Sequence, residues 1–306
     1  MRARFESKSG FAVPGAGANA VDFSLLTPDN NYWLLREKLH LGWKPTSWLV
    51  LFAEGRNSAS YNDKRTPEPE EDSTDLNQAY LVVGNAKEFP ITAKVGRQEL
   101  IYGDERLVGA FDWNNIGRVF DAAKVRWQHE WFAAEAFTSK LVLPNDNNVN
   151  VWNDYSVFSG VHVTTKKLPK NTTELYFFAR NENGRDLNTG PGTADTGAVL
   201  PFQVAAPYER NIYTVGGRLK SNPGDFGAFD YTVEGAYQFG NWRQTFTSAE
   251  LDQNACAFMA NLGYTFGDSV MQPRLALEYA YGSGDDSPAD GEHGTFDNLY
   301  PTNHKI

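Results

Sequence analysis

Residues Tyr231 to Phe239 read YTVEGAYQF, and in this stretch Tyr231, Val233, Gly235, Tyr237 and Phe239 alternate with Thr232, Glu234, Ala236 and Gln238. A period of two puts alternate residues on opposite faces of a β-strand, so one face here is aromatic and apolar and the other polar. The same parity recurs in Leu175, Phe177 and Ala179 against Glu174, Tyr176 and Arg180, and in Ala123, Val125 and Trp127 against Lys124, Arg126 and Gln128. It recurs again in Leu275, Leu277, Tyr279 and Tyr281 against Arg274 and Glu278. Working outward, such segments run over Ala3 to Ser9, Tyr32 to Trp43, Trp48 to Asn57, Asn77 to Gly84, Ile91 to Gln98, Asp121 to His129 and Phe132 to Thr138. They continue over Val157 to Thr165, Thr173 to Arg180, Tyr213 to Lys220, Phe229 to Phe239, Ala255 to Phe266 and Gln272 to Tyr281. This predicts an all-β protein of about thirteen strands with almost no helical periodicity.

The connections between these segments differ in length. Short ones span Lys44 to Ser47, Asn85 to Glu88 and Gly267 to Val270; long polar ones span Ser58 to Leu76, Ser139 to Asp154, Asn181 to Asn211 and Gly282 onward. Short turns on one side and long loops on the other describe an antiparallel up-and-down meander of the outer-membrane barrel type. Alternation alone also suits a soluble sandwich. Strands near ten residues long, with Tyr32, Trp33, Trp43, Trp48, Trp127, Trp131, Tyr231, Phe239, Tyr279 and Tyr281 at their ends, favour a membrane barrel with interfacial aromatic girdles.

Composition sets limits without deciding between these. The 306 residues fit one large β-barrel domain over 1–306, and the formal charge of −10 excludes a nucleic-acid binder driven by bulk attraction to phosphate. Any positive field must be local. Aromatic content is 14% while mean hydropathy is negative, as in a barrel whose apolar residues occupy only alternate positions. The single cysteine, Cys256, cannot form an internal disulfide and reads as a small packing residue. No run of about 18 apolar residues marks a transmembrane helix, and the opening MRARFESKSG has no apolar signal-peptide core.

The block Lys94 to Arg126, KVGRQELIYGDERLVGAFDWNNIGRVFDAAKVR, sets a charged, aromatic, glycine-punctuated connection between two alternating segments. Its part from Gly96 to Arg126, with LFAEGR at Leu51 to Arg56 and TFDNLYPTNHK at Thr295 to Lys305, resembles the alginate-export family of bacterial outer-membrane β-barrels, over most of the chain. The resemblance implies a barrel of about 18 strands whose basic, constricted pore passes an anionic uronate polysaccharide outward by diffusion. It implies no covalent chemistry and no cofactor. Partners on this reading are an anionic polysaccharide or oligosaccharide, outer-membrane lipid and periplasmic export proteins. In the family further strands follow the TNHK block, so the expectation is a chain that lacks C-terminal strands and a signal sequence.

A polyanion pore needs guanidinium groups facing inward at several heights, since each pairs a carboxylate bidentately and a ladder of weak sites allows onward movement. Inward parity selects Arg36, Lys38, Arg56, Lys94, Lys124, Arg126, Arg180, Arg218 and Arg274. Arg97 and Arg118 flank the long connection, which is expected to fold into the lumen as a constriction carrying Asp104, Glu105, Arg106, Asp112, Asn114 and Asn115. The competing role for any one arginine is structural pairing with Glu54, Glu99, Glu135, Glu174, Glu234 or Glu278 on neighbouring strands.

The acidic stretches Glu68 to Asp75 and Asp285 to Glu292 lack calcium-loop spacing and read as solvated loops, and His40, His129, His162, His293 and His304 show no zinc spacing. GAGANA at Gly15 to Ala20 lacks the context of a dinucleotide fingerprint and reads as a loop, and no nucleophile elbow is present. The functional expectation is therefore a uronate-permeable outer-membrane channel. Its rivals are a general porin for small solutes, a β-rich uronate-acting enzyme, and a scaffold barrel plugged by large apolar residues.

Overall fold

Alternation gives each strand one face for lipid and one for the interior, and the backbone groups of every strand must then be met by its neighbours. The computed structural model describes residues 1–8, 30–64, 70–145, 149–182, 209–243, 249–267, 271–287 and 289–302. They form β1 (Arg2–Lys8), β2 (Asn30–Thr46), β3 (Leu49–Tyr61), β4 (Asp72–Val83), β5 (Ile91–Gln98), β6 (Phe120–Gln128), β7 (Phe132–Leu143), β8 (Val151–Trp152), β9 (Ser156–Thr165) and β10 (Asn171–Glu182). β11 (Arg210–Ser221), β12 (Phe229–Arg243), β13 (Glu250–Thr265), β14 (Arg274–Gly282) and β15 (Glu292–His293) complete the set. All belong to one 15-stranded sheet in which β1 to β7 and β9 to β14 pair with their neighbours in chain order. β8 pairs with β7, and β15 lies parallel to β13. Among the described residues β1 and β14 are the edges of the sheet and do not pair with each other.

Each alternating segment of the sequence corresponds to one of the long strands, but several strands run further than the alternation does. β2 starts at Asn30, β3 continues to Tyr61, β4 starts at Asp72 and β12 ends at Arg243. These extensions lie on the side of the long connections. There the outer residues turn polar, so periodicity fades while the hydrogen-bonded ladder continues.

The outward face is apolar over the middle of the sheet, with Leu39 83% and Leu277 75% exposed, as lipid-facing positions must be. Trp43, Trp127, Trp131, Phe229 and Phe266 are exposed near the short turns, and Tyr213 packs on Phe239 towards the opposite end. Above Tyr213 the outward residues become an amide ladder: Asn181 Nδ2 donates to Asn211 Oδ1, Asn211 Nδ2 to Asn241 Oδ1, and Asn241 Nδ2 to Glu250 Oε1, each at 2.9 Å. This polar row marks the boundary of the apolar band. Cys256 lies on the outward face and is exposed, so it is not the packing residue its small size suggested.

Inside, the connection 99–119 folds into the lumen and meets the segment 295–302. Val108 and Tyr300 form a parallel bridge, Tyr300 N donates to Leu107 O at 2.9 Å, Gly109 N to Tyr300 O at 2.8 Å, and Thr302 N to Glu105 O at 2.9 Å. Gly109 has to be glycine for this approach, because a Cβ there would stand 2.2 Å from Thr302 Oγ1. Both segments rest on an apolar cluster on the inner face of β6, β7, β9 and β10, including Phe120, Phe137, Phe158, Tyr176 and Phe178, with Tyr102, Leu107, Val108, Leu299 and Tyr300 packed on top. The aromatic rings meet in tilted and edge-on contacts, such as Phe158 with Tyr300 at 4.9 Å and 66°.

The acidic stretch at 68–75 is not a solvated loop where it is described. Asp72 and Asp75 belong to β4, face inward and are 1% and 9% exposed, because Arg56 and Asn150 need acceptors there. Gly15 to Ala20, His304 and the long connection between Asn181 and Asn211, apart from its ends, lie outside the described residues.

Candidate functional site

Luminal residues come from inward positions of the strands and from the two inward segments. On the β2–β4 side the cations hold the connection in place. Arg36 Nη1 donates to the Asp112 and Asn114 carbonyls at 3.2 Å each and its Nη2 pairs with Asp112 at 2.9 Å. Arg56 is buried and bonds Asn77, the Ile116 carbonyl and Asp72. Asn115 Nδ2 reaches the carbonyls of Leu35 at 3.2 Å and Ala59 at 3.3 Å, and Asn114 Oδ1 accepts from Ile116 N at 2.8 Å. Lys38 lies 3.5 Å from Glu54, and Lys94 sits over the Tyr80 ring at 3.6 Å.

Towards the short turns Lys124 and Arg126 share Glu135 at 3.2 and 2.7 Å. Arg118 meets carbonyls instead of carboxylates, those of Pro301 at 2.9 Å and Gly109 at 3.4 Å, and burial pushes its guanidinium down to about 10. It therefore tethers the two inward segments. Arg180 pairs with Glu182 at 2.8 Å and Asp297 at 3.1 Å. Arg218 makes two bonds to Glu174 at 2.9 and 2.8 Å and a contact with Asp104 at 2.7 Å. Arg274 is bidentate to Asp230 at 2.9 and 2.6 Å.

Arg97 does not belong with these. It shares its parity with the exposed Val95, faces outward, and forms a bidentate pair with Asp121 of β6 at 2.9 and 3.0 Å. Strand alternation requires this, since the buried Gln98 and the inward Lys94 occupy the other face. Arg97 thus joins the outer polar row above the apolar band and does not touch the lumen.

Sequence reading missed several luminal groups. Arg210 lies 2.8 Å from Glu182 and 3.4 Å from Asp297, and packs over Trp242 at 4.3 Å. It carries the same parity as Arg218, but its strand starts before the alternating stretch at Tyr213. Asp297, Tyr300 and Thr302 were visible only as part of a resembling block; Thr302 Oγ1 donates to Glu105 Oε2 at 2.7 Å. Lys220 pairs with Asp104 at 3.1 Å, although its place at the end of a strand gives no sign of it.

Two adjoining cavities lie between the inward connection and the β11–β14 wall, beside the ion pairs of Asp104 with Arg218 and Lys220 and of Arg106 with Glu278. One, of about 290 Å³, is bordered by Arg106, Tyr176, Glu234, Met259, Phe296 and Thr302. The other, of about 360 Å³, is bordered by Asp104, Arg106, Lys220, Asp230, Arg274 and Glu278. Arg106 and Met259 line both. Such a space, with cations and carboxylates on its walls and aromatic rings at one end, can bind charged or hydroxylated solutes through hydrogen bonds.

A family model described as Alginate export matches residues 1–306. Among solved structures, Pseudomonas aeruginosa OpdO matches with a TM-score of 0.50 at 11% identity, covering 95% of this chain and 80% of that one. A structure of Pseudomonas aeruginosa OccK3 (OpdO) gives 0.50 and 11%, with 95% and 79% covered. A BenF-like porin from Pseudomonas fluorescens Pf-5 gives 0.48 and 10%, with 94% and 83% covered. At such identities the OpdO likeness is one of fold. No curated protein matches.

Proposed function

The chain belongs to the alginate-export family of bacterial outer-membrane β-barrels, and from that premise we propose that it passes an anionic, uronate-containing polysaccharide or oligosaccharide by diffusion. Family and fold are those of outer-membrane channels. The observation that carries the finer reading is the vertical series of luminal cations on β10, β11 and β14 and on the inward connection. Arg274 and Lys220 stand near the short turns, Arg106 beside the cavities, Arg218 against Asp104, and Arg180 and Arg210 towards the long connections. Each is pre-paired with a carboxylate, so a passing uronate exchanges with a resident acid at successive levels and no single contact becomes a trap. Arg36, Arg56 and Arg118 act through the architecture: they hold the connection that narrows the lumen.

The same pairing favours a second reading. A lumen whose cations are matched by acids has a modest net field, which suits a general porin for small solutes. Single-channel conductance of the reconstituted full chain separates the two. Mannuronate oligomers are expected to interrupt the current at concentrations where neutral mannose oligomers do not; equal behaviour of the two sugars sinks the uronate-specific version. Neither reading involves covalent chemistry.

A further inference from the structure

The luminal arginines differ in how completely their donors are used. Arg218 and Arg274 each have a bidentate carboxylate, Arg180 has two acidic partners, and Arg56 has three acceptors. Among the described residues Arg106 has one: its Nη2 donates to Glu278 Oε2 at 2.8 Å. Its Nε is sealed from solvent without an acceptor. A guanidinium offers five N–H donors in a planar fork, so most of this one's capacity is unspent beside two cavities. Its partner is shared, because Asn261 Nδ2 also donates to Glu278 Oε2, at 3.3 Å. Both side chains of the pair are about a quarter exposed to the cavity space.

Position adds a second argument. Arg106 sits between Glu105, in the left-handed region at φ 62° and tied to Thr302, and Leu107, hydrogen bonded to Tyr300. The backbone under Arg106 is therefore fixed from both sides, and the side chain reaches β14, at the far edge of the sheet from β2 and β3, where Asn115 of the same connection is anchored. Any solute passing between the connection and β14 has to pass this bridge.

We propose that Arg106 and Glu278 form the selectivity latch of the channel, with Glu278 acting as an internal competitor that a sugar carboxylate displaces from Arg106. The proposal rests on the uronate-channel reading and specifies which residue pair sets its affinity. In the closed latch Arg106 spans the path; a carboxylate taking Nη1 and Nη2 together replaces a single hydrogen bond with two, and Glu278 falls back on Asn261. The sugar ring then lies against Met259 and Phe296, which border the same space. A solute without a carboxylate has nothing to exchange and leaves the latch shut.

The test uses the reconstituted full chain and a trimer of mannuronate, with mannotriose as the neutral control. Arg106→Ala is expected to weaken block by the charged trimer about tenfold, the equivalent of one charge-assisted interaction, and Arg106→Lys to fall between, keeping charge but losing the fork. Glu278→Gln, which removes the competitor and keeps the shape, is expected to strengthen block several-fold. Unchanged block in Arg106→Ala, or weaker block in Glu278→Gln, overturns the latch while leaving a uronate channel intact. If wild type is not blocked by the charged trimer at all, the uronate reading itself fails. Thermal unfolding of each variant in the same lipid separates a misfolded barrel from an altered latch, and Arg106→Lys supplies the comparison if Arg106→Ala does not fold.

Discussion

The two walls of the lumen are built differently. Along β6, β7, β9 and β10 the inward positions carry Phe120, Phe137, Phe158, Tyr176 and Phe178, and the inward segments are seated directly on them. Along β11 to β14 the corresponding positions carry Arg218, Lys220, Asp230, Thr232, Glu234 and Glu278, which meet the connection through the ion pairs of Asp104 with Arg218 and Lys220 and of Arg106 with Glu278, beside two cavities. One wall carries a closely packed apolar cluster, flanked by Lys124, Arg126 and Glu135 towards the short turns and by Arg180 and Glu182 towards the long connections. The other is a charged surface that faces cavities. A barrel wall normally has to choose between packing a plug and lining a passage; here the two duties fall to different halves of the same sheet. The inward segments thus pack on the apolar cluster of one half of the sheet and leave cavities against the other.

Substitutions on the two walls should therefore differ in kind. The largest effect is expected from Phe158→Ala. This side chain is 1% exposed and touches Phe120, Phe137, Phe178 and Tyr300, so its loss should cost about 3–5 kcal/mol in urea unfolding from lipid vesicles. Asp297→Asn should cost about 2 kcal/mol, because Arg180 and Arg210 both lose a charged acceptor while Glu182 still serves them. Raised single-channel conductance, as 295–302 loosens from the wall, should accompany it. Gly109→Ala forces a methyl against Thr302 Oγ1 and the Glu105 side chain, for about 1–2 kcal/mol of overpacking, read by the same unfolding assay. The smallest effect belongs to the opposite wall. The Arg274–Asp230 pair has side chains 41% and 37% exposed, so Arg274→Gln should change stability by less than about 1 kcal/mol after solvent screening and show itself in ion selectivity at low salt. If Arg274→Gln proved as destabilising as Phe158→Ala, the division of the lumen into a structural and a passage wall would be wrong.

Particular residues show how far the sequence could be read. Tyr231 to Phe239 announced a two-faced strand because side-chain direction alternates whatever the neighbours are, and the lipid side of β10, β12 and β14 followed from the same parity. The face of Arg97 was equally readable, two residues after Val95, yet the basic character of its block pointed to the lumen. Strand ends were less legible: beyond the apolar band both faces are polar, as at Asn181, Asn211 and Asn241, and the pattern no longer reports the pairing that continues there. Phe178 on the otherwise polar face of β10 was a local sign of the inner apolar cluster. Nothing local said that Tyr300 would cover it.

What the sequence determined by itself is the alternation: which residues of each strand face lipid, which face inward, and hence an antiparallel β-barrel with charges inside. That much depends only on a backbone whose side chains alternate every residue. The tertiary structure decided which inward charges meet. Arg106 finds Glu278 172 positions away, and Thr302 finds Glu105 197 positions away, through a connection that leaves the sheet and crosses the lumen. Period and spacing carry no information about such a crossing, because its contacts are set by the curvature of the whole sheet and by the aromatic wall on which the connection comes to rest.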